Sequence, residues 1–368
     1  MREHFPLLIL SVLLLSACSD ERRYTLTGTL PGTEYNDKTI YLTMGSVTGV
    51  PVDSAIVKDG KFRFTGAAPD SVLLAFVSPD ADHDAKMFVV EPGDIQMIVD
   101  TSYFWGYKIS GGNLNNEYQS YKDSLAILYQ NSWKFGKEMQ AVIDAGKMEG
   151  DEAKKWELKK DSILNEIEDH VYDFIAKHAR NSLGEGVFFS DTYFFRPAKL
   201  EKLIPLLRPD FDGVTPEMEA RINAWKGTAV GQPYADVGGF DINGDKTALS
   251  DYVGKGNVVV IDFWASWCGP CVRALPGLKD FYEKNKDKGL VVLGVSLDDD
   301  SAKWIEATKK HNITWPQLSN LKGWDDPAAI SYGINLIPRI IMIDKNGIIA
   351  ANGIGVGELQ YKFDELTK

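Results

Sequence analysis

The most constraining feature of the chain is an apolar run that leads into two closely spaced cysteines. Val258–Phe263 is rich in β-branched residues, which is typical of a strand buried on both faces. Trp267-Cys268-Gly269-Pro270-Cys271 follows closely, and Pro270 suits the first turn of a helix, where its missing N–H costs little. This order predicts a strand, a short connection and a helix, with the cysteine pair at the start of the helix.

The spacing of the two cysteines predicts redox chemistry. Two cysteines three positions apart at such a junction are able to close a small disulfide ring. At the helix start, free N–H groups and the positive end of the helix dipole would lower the pKa of Cys268 from about 8.5 towards roughly 3.5–7.5. We therefore predict that Cys268 is the nucleophile, and that Cys271, one turn further in and more buried, resolves the mixed disulfide.

The surrounding residues, 228–368, alternate between strand and helix patterns. Leu290–Val295 is a second apolar run, and Ile340–Ile343 and Ile348–Ala350 flank a turn that predicts a hairpin. Apolar strands separated by helices indicate an α/β domain whose central sheet is covered on both faces. The predicted helices follow Pro270, Ser301 and Pro327.

Two regions of other character precede this domain. Residues 24–110 contain short alternating strands with turn signals, among them Asp59-Gly60, and predict a small antiparallel β-sandwich. Residues 111–227 are predicted to be helical, because apolar residues recur there at helical spacing. Thr215-Pro216 resembles a helix N-cap followed by proline at the first helical position. Neither region contains a catalytic constellation.

The N-terminus carries an export pattern. The apolar run Phe5–Leu15 is too short to span a bilayer comfortably and is typical of a secretory signal. It ends in Leu15-Ser16-Ala17-Cys18, which resembles the lipobox of bacterial lipoproteins. This resemblance implies a signal peptide over residues 1–17, lipidation of Cys18 and a lipid-anchored tether over residues 18–23. The alternative is an ordinary cleaved signal with an incidental cysteine.

A lipid anchor would place the chain at the cell envelope, facing the periplasm. There the two remaining cysteines lie outside the reducing cytosol and are able to cycle between dithiol and disulfide. Ser19 follows Cys18 in place of the aspartate that retains some lipoproteins at the inner membrane, so we favour the outer membrane.

Composition narrows the function further. The formal charge of −12 argues against nucleic-acid binding, because an acidic protein repels phosphate backbones. The five histidines do not cluster with cysteines at metal-ligand spacing, so no metal site is predicted. No cofactor is predicted either, since the alternating glycines of Gly353–Gly357 lie after a hairpin and outside a βαβ unit. Asp298–Ser301 is predicted to cap a helix rather than to bind calcium.

The redox segment carries a family resemblance. Val260–Cys271 resembles the core motif of the thioredoxin-fold family almost letter for letter. Gly244–Tyr252, Tyr332–Ile334 and the insertion between the redox helix and the hairpin are similar to membrane-anchored extracytoplasmic reductases of the TlpA/ResA type. The three-part layout resembles lipoproteins of Bacteroides-type bacteria. The resemblance implies a thioredoxin-like fold for residues 228–368, preceded by a β-sandwich-like domain and a helical segment.

The resemblance also implies roles for individual residues. Asp262 matches a buried carboxylate beneath the disulfide, whose raised pKa would suit it to take the proton from Cys271. Pro338 matches the family's cis-proline, so that a substrate backbone would pair with Ile337 as an added strand. Trp264 is expected to be packing. The expected substrate-binding residues on the rim are Trp267, Gly269 and Pro270.

Two positions depart from the family pattern. Ala274 stands where many of these reductases carry a glutamate, which leaves Asp262 as the main candidate base. Arg339 follows the proline where threonine is common. A cation there would favour an acidic substrate segment or further acidify Cys268.

The leading function is a cell-envelope thiol–disulfide oxidoreductase that reduces protein disulfides through a Cys268–Cys271 cycle. Its partners would be disulfide-containing proteins and a membrane protein that relays electrons across the inner membrane. Two alternatives stay open. One is a thiol peroxidase, although the usual peroxidatic motif is not found. The other is a non-enzymatic envelope binding lipoprotein whose β-rich domain does the main work.

Overall fold

The computed structural model describes residues 22–79, 85–147, 150–192, 195–211 and 213–368. The chain divides into two compact units, one ending at Lys122 and one running from Asp123 to Lys368. The predicted signal peptide, the predicted lipidation site Cys18 and nearly all of the predicted tether lie outside the described residues. None of the described helices combines the length and the hydrophobicity needed to cross a membrane.

Short strands in two four-stranded sheets build the first unit. The strands are β1 Arg23–Thr29, β2 Thr39–Met44, β3 Asp53–Ile56, β4 Lys61–Ala67, β5 Leu74–Ser78, β6 Lys86–Val89, β7 Gly93–Val99 and β8 Tyr107–Ser110. One sheet has the order β4-β1-β7-β8 and the other β3-β2-β5-β6. The prediction of an antiparallel sandwich is wrong for one pair, since β1 and β7 run parallel. Between them the chain crosses to the other sheet and back twice, and a parallel pair requires a crossover of this kind.

The core of the first unit receives side chains from both sheets. Leu26 and Ile95 come from the first sheet, and Leu42 and Val77 from the second, and all four are buried. The rings of Tyr24 on β1 and Phe88 on β6 lie 6.4 Å apart between centroids. The β-rich character expected of this region is therefore confirmed.

The turn at Asp59-Gly60 is present, but the hairpin predicted around it is not. Both residues have positive φ, 48° and 66°, as a two-residue hairpin turn with a twist matching its strands requires. The flanking strands meet only at the Lys58–Lys61 bridge and then diverge into different sheets. β4 pairs along its whole length with β1 instead, which buries Phe62 and Phe64.

The first unit extends past residue 110, where the sequence placed the end of the β-rich domain. The helix α1, Asn113–Asp144, begins in this unit. The Asn115 side chain accepts a hydrogen bond from the Val89 N–H at 2.9 Å and donates to the Val89 carbonyl at 2.8 Å. Glu91 accepts from the N–H groups of Leu114 and Asn115. These bonds fix the first turn of α1 to the sheet.

The second unit begins with the predicted helical segment. After the rest of α1, the helices are α2 Gly150–Lys177, α3 Ser182–Asp191, α4 Pro197–Leu203 and α5 Pro216–Gly227. Thr215 caps α5 as expected, because its hydroxyl accepts from the Met218 N–H at 3.2 Å and Pro216 follows it. Val171 and Ile175, two of the apolar positions with helical spacing, are buried.

A five-stranded sheet follows, so the α/β prediction is confirmed. The elements of this region are β9 Gly238–Phe240, β10 Lys246–Ala248, β11 Val258–Trp264, α6 Gly269–Asn285, β12 Leu290–Ser296, α7 Ser301–Lys310, β13 Gln317–Leu318, α8 Pro327–Ser331, β14 Arg339–Ile343, β15 Ile349–Asn352 and α9 Leu359–Thr367. The order of the sheet is β13-β12-β11-β14-β15, and β11 pairs parallel with β12 and antiparallel with β14. Every residue of β11 is buried, as its apolar composition predicted.

Candidate active site

The cysteine pair lies at the predicted junction of strand and helix. β11 ends at Trp264, and Cys268 is the N-cap residue of α6. The Sγ of Cys268 accepts a hydrogen bond from the backbone N–H of Cys271 at 3.1 Å. That N–H is one of the helix-start donors without an intrahelical partner, and such donors stabilise negative charge on sulfur.

Cys268 and Cys271 form a disulfide bond, with an S–S distance of 2.01 Å and a Cα–Cα distance of 5.2 Å. The two residues are 5% and 3% exposed, so the expected difference in burial is small. Both belong to the core of the domain, because the closed ring holds both sulfurs at the junction of β11 and α6. The exposed part of the motif is Trp267, with Gly269 and Pro270.

A proline loop lies opposite the cysteines. The Ile337–Pro338 peptide bond is cis and immediately precedes β14. The carbonyl oxygen of Ile337 lies 3.8 Å from the Sγ of Cys268. The structure thus brings Ile337 and Pro338 to the sulfur that the sequence proposed as nucleophile. Their role in binding substrate stays a prediction.

Asp262 occupies the middle strand of the sheet. Its side chain is 5% exposed, and burial raises the pKa of its carboxyl to about 7. Among the described residues, no group donates a hydrogen bond to this carboxyl, so nothing nearby offsets the cost of burying its charge. A carboxyl with this pKa is able to exchange a proton near neutral pH. Its assignment as the base for Cys271 stays a prediction.

Arg339 packs against the helical segment. Its guanidinium lies 5.2 Å from the ring centroid of Trp225 on α5, and its Nε donates to the Asn352 side chain at 2.9 Å. Arg339 on β14 is paired with Phe263 on β11, and paired residues project from the same face of a sheet. Side chains alternate between the two faces along a strand, so Arg339 projects from the face opposite to that of Asp262, the residue before Phe263. This placement favours a packing role. The influence of Arg339 on Cys268 stays a prediction, and an unchanged Cys268 pKa in Arg339→Thr would remove it.

A buried carboxylate that the sequence analysis missed supports the loop before Cys268. Asp298, 1% exposed, accepts from the N–H of Ser266 at 3.0 Å and from its hydroxyl at 2.5 Å. It also accepts from the Ser296 hydroxyl at 2.6 Å. The Cys268 N–H in turn donates to the Ala265 carbonyl at 3.1 Å. Asp298 therefore positions the connection that carries the first cysteine.

The sequence predicts that the segment Asp298–Ser301 caps a helix, and only Asp300 within this segment does so. Asp300 is the N-cap of α7 and accepts from the N–H groups of Ala302 and Lys303. Asp298 turns inward instead. The available signal was its position just beyond β12, since the carboxyl ends of parallel neighbouring strands meet at one edge of a sheet.

We expect Asp298→Ala to destabilise the domain and to disturb Cys268. Ser266 and Ser296 would lose their acceptor, and unsatisfied buried donors cost about 1–3 kcal/mol each. The expected loss in unfolding free energy is about 2–4 kcal/mol by denaturant titration. The reduced variant should also alkylate at Cys268 at a changed rate. Asp300→Ala is the control, with a cost of about 1 kcal/mol and an unchanged alkylation rate. Equal effects in the two variants would contradict this role.

Trp264 is packing, as expected. It is 1% exposed, and its indole N–H donates to the Gln317 side chain at 3.0 Å. Among the described residues, no group of three or more His, Cys, Asp or Glu side chains is arranged to hold a metal ion.

The sheet order and the bonded cysteine pair at the start of α6 define the second unit's α/β region as a thioredoxin-like domain. The family model described as AhpC/TSA family matches residues 230–352. A second model, described as a domain of unknown function (DUF4369), matches residues 24–118. The predicted fold class, with a β-rich region and a helical segment before this domain, is confirmed.

The relatives found carry the same class of name. Thiol-disulfide oxidoreductase ResA of Geobacillus kaustophilus is 31% identical over 119 residues, which are 32% of this chain and 66% of that protein. ResA of Geobacillus thermodenitrificans is 30% identical over 119 residues, which are again 32% of this chain and 66% of that protein. The chain thus matches just under two thirds of the length of these relatives.

Solved structures of similar chains are also known. The thioredoxin domain of a thiol-disulfide oxidoreductase from Bacteroides vulgatus is 30% identical and matches 38% of this chain and 99% of its own, with a TM-score of 0.35. A thiol-disulfide oxidoreductase from Bacteroides fragilis is 30% identical over 37% of this chain and 99% of its own, also with a TM-score of 0.35. The fold assignment rests on the sheet order and the family match, not on these scores.

Proposed function

We propose that this protein is a thiol–disulfide oxidoreductase of the cell envelope that reduces disulfide bonds in other proteins. The observation that carries the proposal is the Cys268–Cys271 disulfide at the start of α6, with the Ile337 carbonyl 3.8 Å from the Cys268 sulfur. The relatives named thiol-disulfide oxidoreductase support it.

In the reduced protein, the Cys268 thiolate attacks one sulfur of a substrate disulfide. The substrate S–S bond breaks, a new S–S bond joins the substrate to Cys268, and the other substrate sulfur leaves as a thiolate. The helix start stabilises the attacking thiolate through groups such as the Cys271 N–H, which already donates to this sulfur.

Cys271 completes the reaction. Asp262 takes the proton from the Cys271 thiol, and the resulting thiolate attacks the Cys268 sulfur. The mixed disulfide breaks, the second substrate sulfur leaves as a thiol or thiolate, and the Cys268–Cys271 disulfide forms. Two electrons have then passed to the substrate. A dithiol donor must return two electrons to Cys268 and Cys271 before the next turnover.

The location and the donor are part of the same proposal. The lipobox-like sequence ending at Cys18 supports lipid anchoring and a periplasm-facing location, with the outer membrane favoured over the inner one. The donor would be a membrane protein that relays reducing equivalents from the cytoplasm. In the same proposal, residues 18–23 form the tether, residues 24–110 the β-rich domain, residues 111–227 the helical region and residues 228–368 the redox domain.

The full chain, reduced and freed of reductant, tests the proposal. Mixed with an excess of a disulfide-containing peptide, it should release two peptide thiols for each protein and form the Cys268–Cys271 disulfide. The variant lacking both cysteines should release none. Hydrogen peroxide, tested in parallel, should oxidise the protein far more slowly. Rapid peroxide turnover without peptide reduction would favour the thiol peroxidase, and inertness towards both would favour the binding lipoprotein.

A further inference from the structure

Three large apolar side chains are exposed next to the redox pair. Trp267, 54% exposed, directly precedes Cys268, and Leu336, 56% exposed, directly precedes Ile337. Trp324, 45% exposed, contacts Trp267 with 6.1 Å between ring centroids. A cluster of this kind is a common mark of an interaction site, whereas isolated exposed apolar residues are not.

Trp324 comes from a loop outside the redox motif, and hydrogen bonds to a buried carboxylate fix the backbone of that loop. Trp324 lies in a single turn of 3-10 helix, Gly323–Asp325. The fully buried Asp326 closes this loop, because its carboxylate accepts from the Asn320 N–H at 2.9 Å and from the Ala328 N–H at 2.8 Å. The loop thus presents an aromatic ring to solvent without needing to order on binding, which lowers the cost of association.

The chemistry of the site determines what reaches this cluster. Once Cys268 is joined to a partner's sulfur, the partner residues on either side of that cysteine lie over the side chains next to Cys268 and Ile337. Lys322 and Asp325 flank Trp324 and carry opposite charges, so the Trp324 loop itself favours neither an acidic nor a basic segment. The selectivity that this loop offers is therefore burial of apolar surface against two tryptophans.

We propose that Trp324 and Trp267 together form an apolar wall that selects disulfide-bearing polypeptides with a large apolar residue next to the attacked cysteine. The proposal rests on the proposed function, and it adds a substrate class and one specificity-determining residue, Trp324.

Two peptide disulfides that differ only in the residue next to the cysteine, leucine in one and glycine in the other, test the proposal. The readout is the ratio of the second-order rate constants with which the pre-reduced full chain reduces each peptide in a single turnover. We expect the wild-type protein to prefer the leucine peptide by about tenfold. Trp324→Ala should bring the ratio close to one, and Trp324→Phe should keep most of it. Trp133→Ala removes a tryptophan on α1 that is more exposed, at 71%, and should leave the ratio unchanged.

A wild-type ratio near one would overturn the proposal. So would an equal loss on both peptides in Trp324→Ala, since that marks a structural role. If Trp324→Ala does not fold, Leu336→Ala, which removes the exposed side chain next to Ile337, provides the same readout and should also lower the ratio. Failure of the proposed function itself looks different, because the wild-type protein would then reduce neither peptide.

Discussion

Cys271→Ala should accumulate a covalent adduct on Cys268, while Cys268→Ala should lose turnover altogether. In the first variant the mixed disulfide forms but has no neighbouring thiol to break it. In the second the attacking sulfur is gone, and removal of a nucleophile costs roughly a thousandfold or more in rate. Mass spectrometry of the full-length variants after exposure to a disulfide peptide measures the adduct, and thiol release measures the rate.

The structure provides the reason for this asymmetry between two similarly buried cysteines. Cys268 caps α6 and accepts the Cys271 N–H, whereas Cys271 lies inside the first turn. The Cys268→Ala variant is therefore the matched control for the trap. An adduct on Cys271 in that control, at the rate seen for Cys268, would contradict the assignment of the nucleophile.

Asp262→Asn should slow the second half of the reaction and remove the part of its rise with pH that follows ionisation of this carboxyl. The carboxyl accepts the Cys271 proton only when it is ionised, and burial raises its pKa to about 7. Wild-type resolution of the mixed disulfide should therefore accelerate as pH rises through about 7. Positioned general bases contribute about 10²–10⁴-fold, so the variant should be slower by that order above neutral pH. Stopped-flow measurement of thiol release at several pH values checks this.

The same residue should make stability depend on pH. The folded-state pKa is raised, so the unfolded chain loses the proton first. The contribution of Asp262 to the free energy of unfolding is fully present below its ordinary pKa of 3.8, falls as pH rises to about 7, and is constant above that. Between these two pH values the free energy of unfolding should fall by about 4 kcal/mol, since a shift of one pKa unit corresponds to about 1.4 kcal/mol. Asp262→Asn should therefore be the more stable protein at pH 8.

Denaturant titration of the oxidised wild type and of Asp262→Asn at pH 4 and pH 8 measures this difference. Asparagine matches the shape of a neutral carboxyl and does not titrate, so the two proteins should be close in stability at pH 4. A stability difference that is the same at both pH values would contradict a raised pKa. A resolution rate that is unchanged in the variant would remove Asp262 as the base.

The sequence was most informative where one local pattern determines one structure. The β-branched run of β11 could only be a buried strand, and Pro270 with the cysteine pair marked the start of α6. Thr215-Pro216 and the segment Asp298–Ser301, in which Asp300 is the N-cap, marked the starts of α5 and α7 for the same reason, since a cap is a local hydrogen bond.

What the sequence could not show depends on pairing between distant segments. The turn at Asp59-Gly60 is local, but whether its strands stay paired depends on β1, which competes for β4. Asp298 is adjacent to Ser266 only because β11 and β12 are neighbours. Trp324 reaches Trp267 through a loop whose course is determined by Asp326. Neither the contact of Asp298 with Ser266 nor that of Trp324 with Trp267 has a signature in the spacing of residues along the sequence.

The pH dependence of alkylation in the reduced full-length protein, followed separately at each cysteine, tests most directly whether Cys268 is the activated thiol. We predict that Cys268 is labelled first, with an apparent pKa well below the value of about 8.5 for a free cysteine, and that Cys271 is labelled much more slowly. Equal labelling of both cysteines, with the pKa of a free thiol, would contradict it.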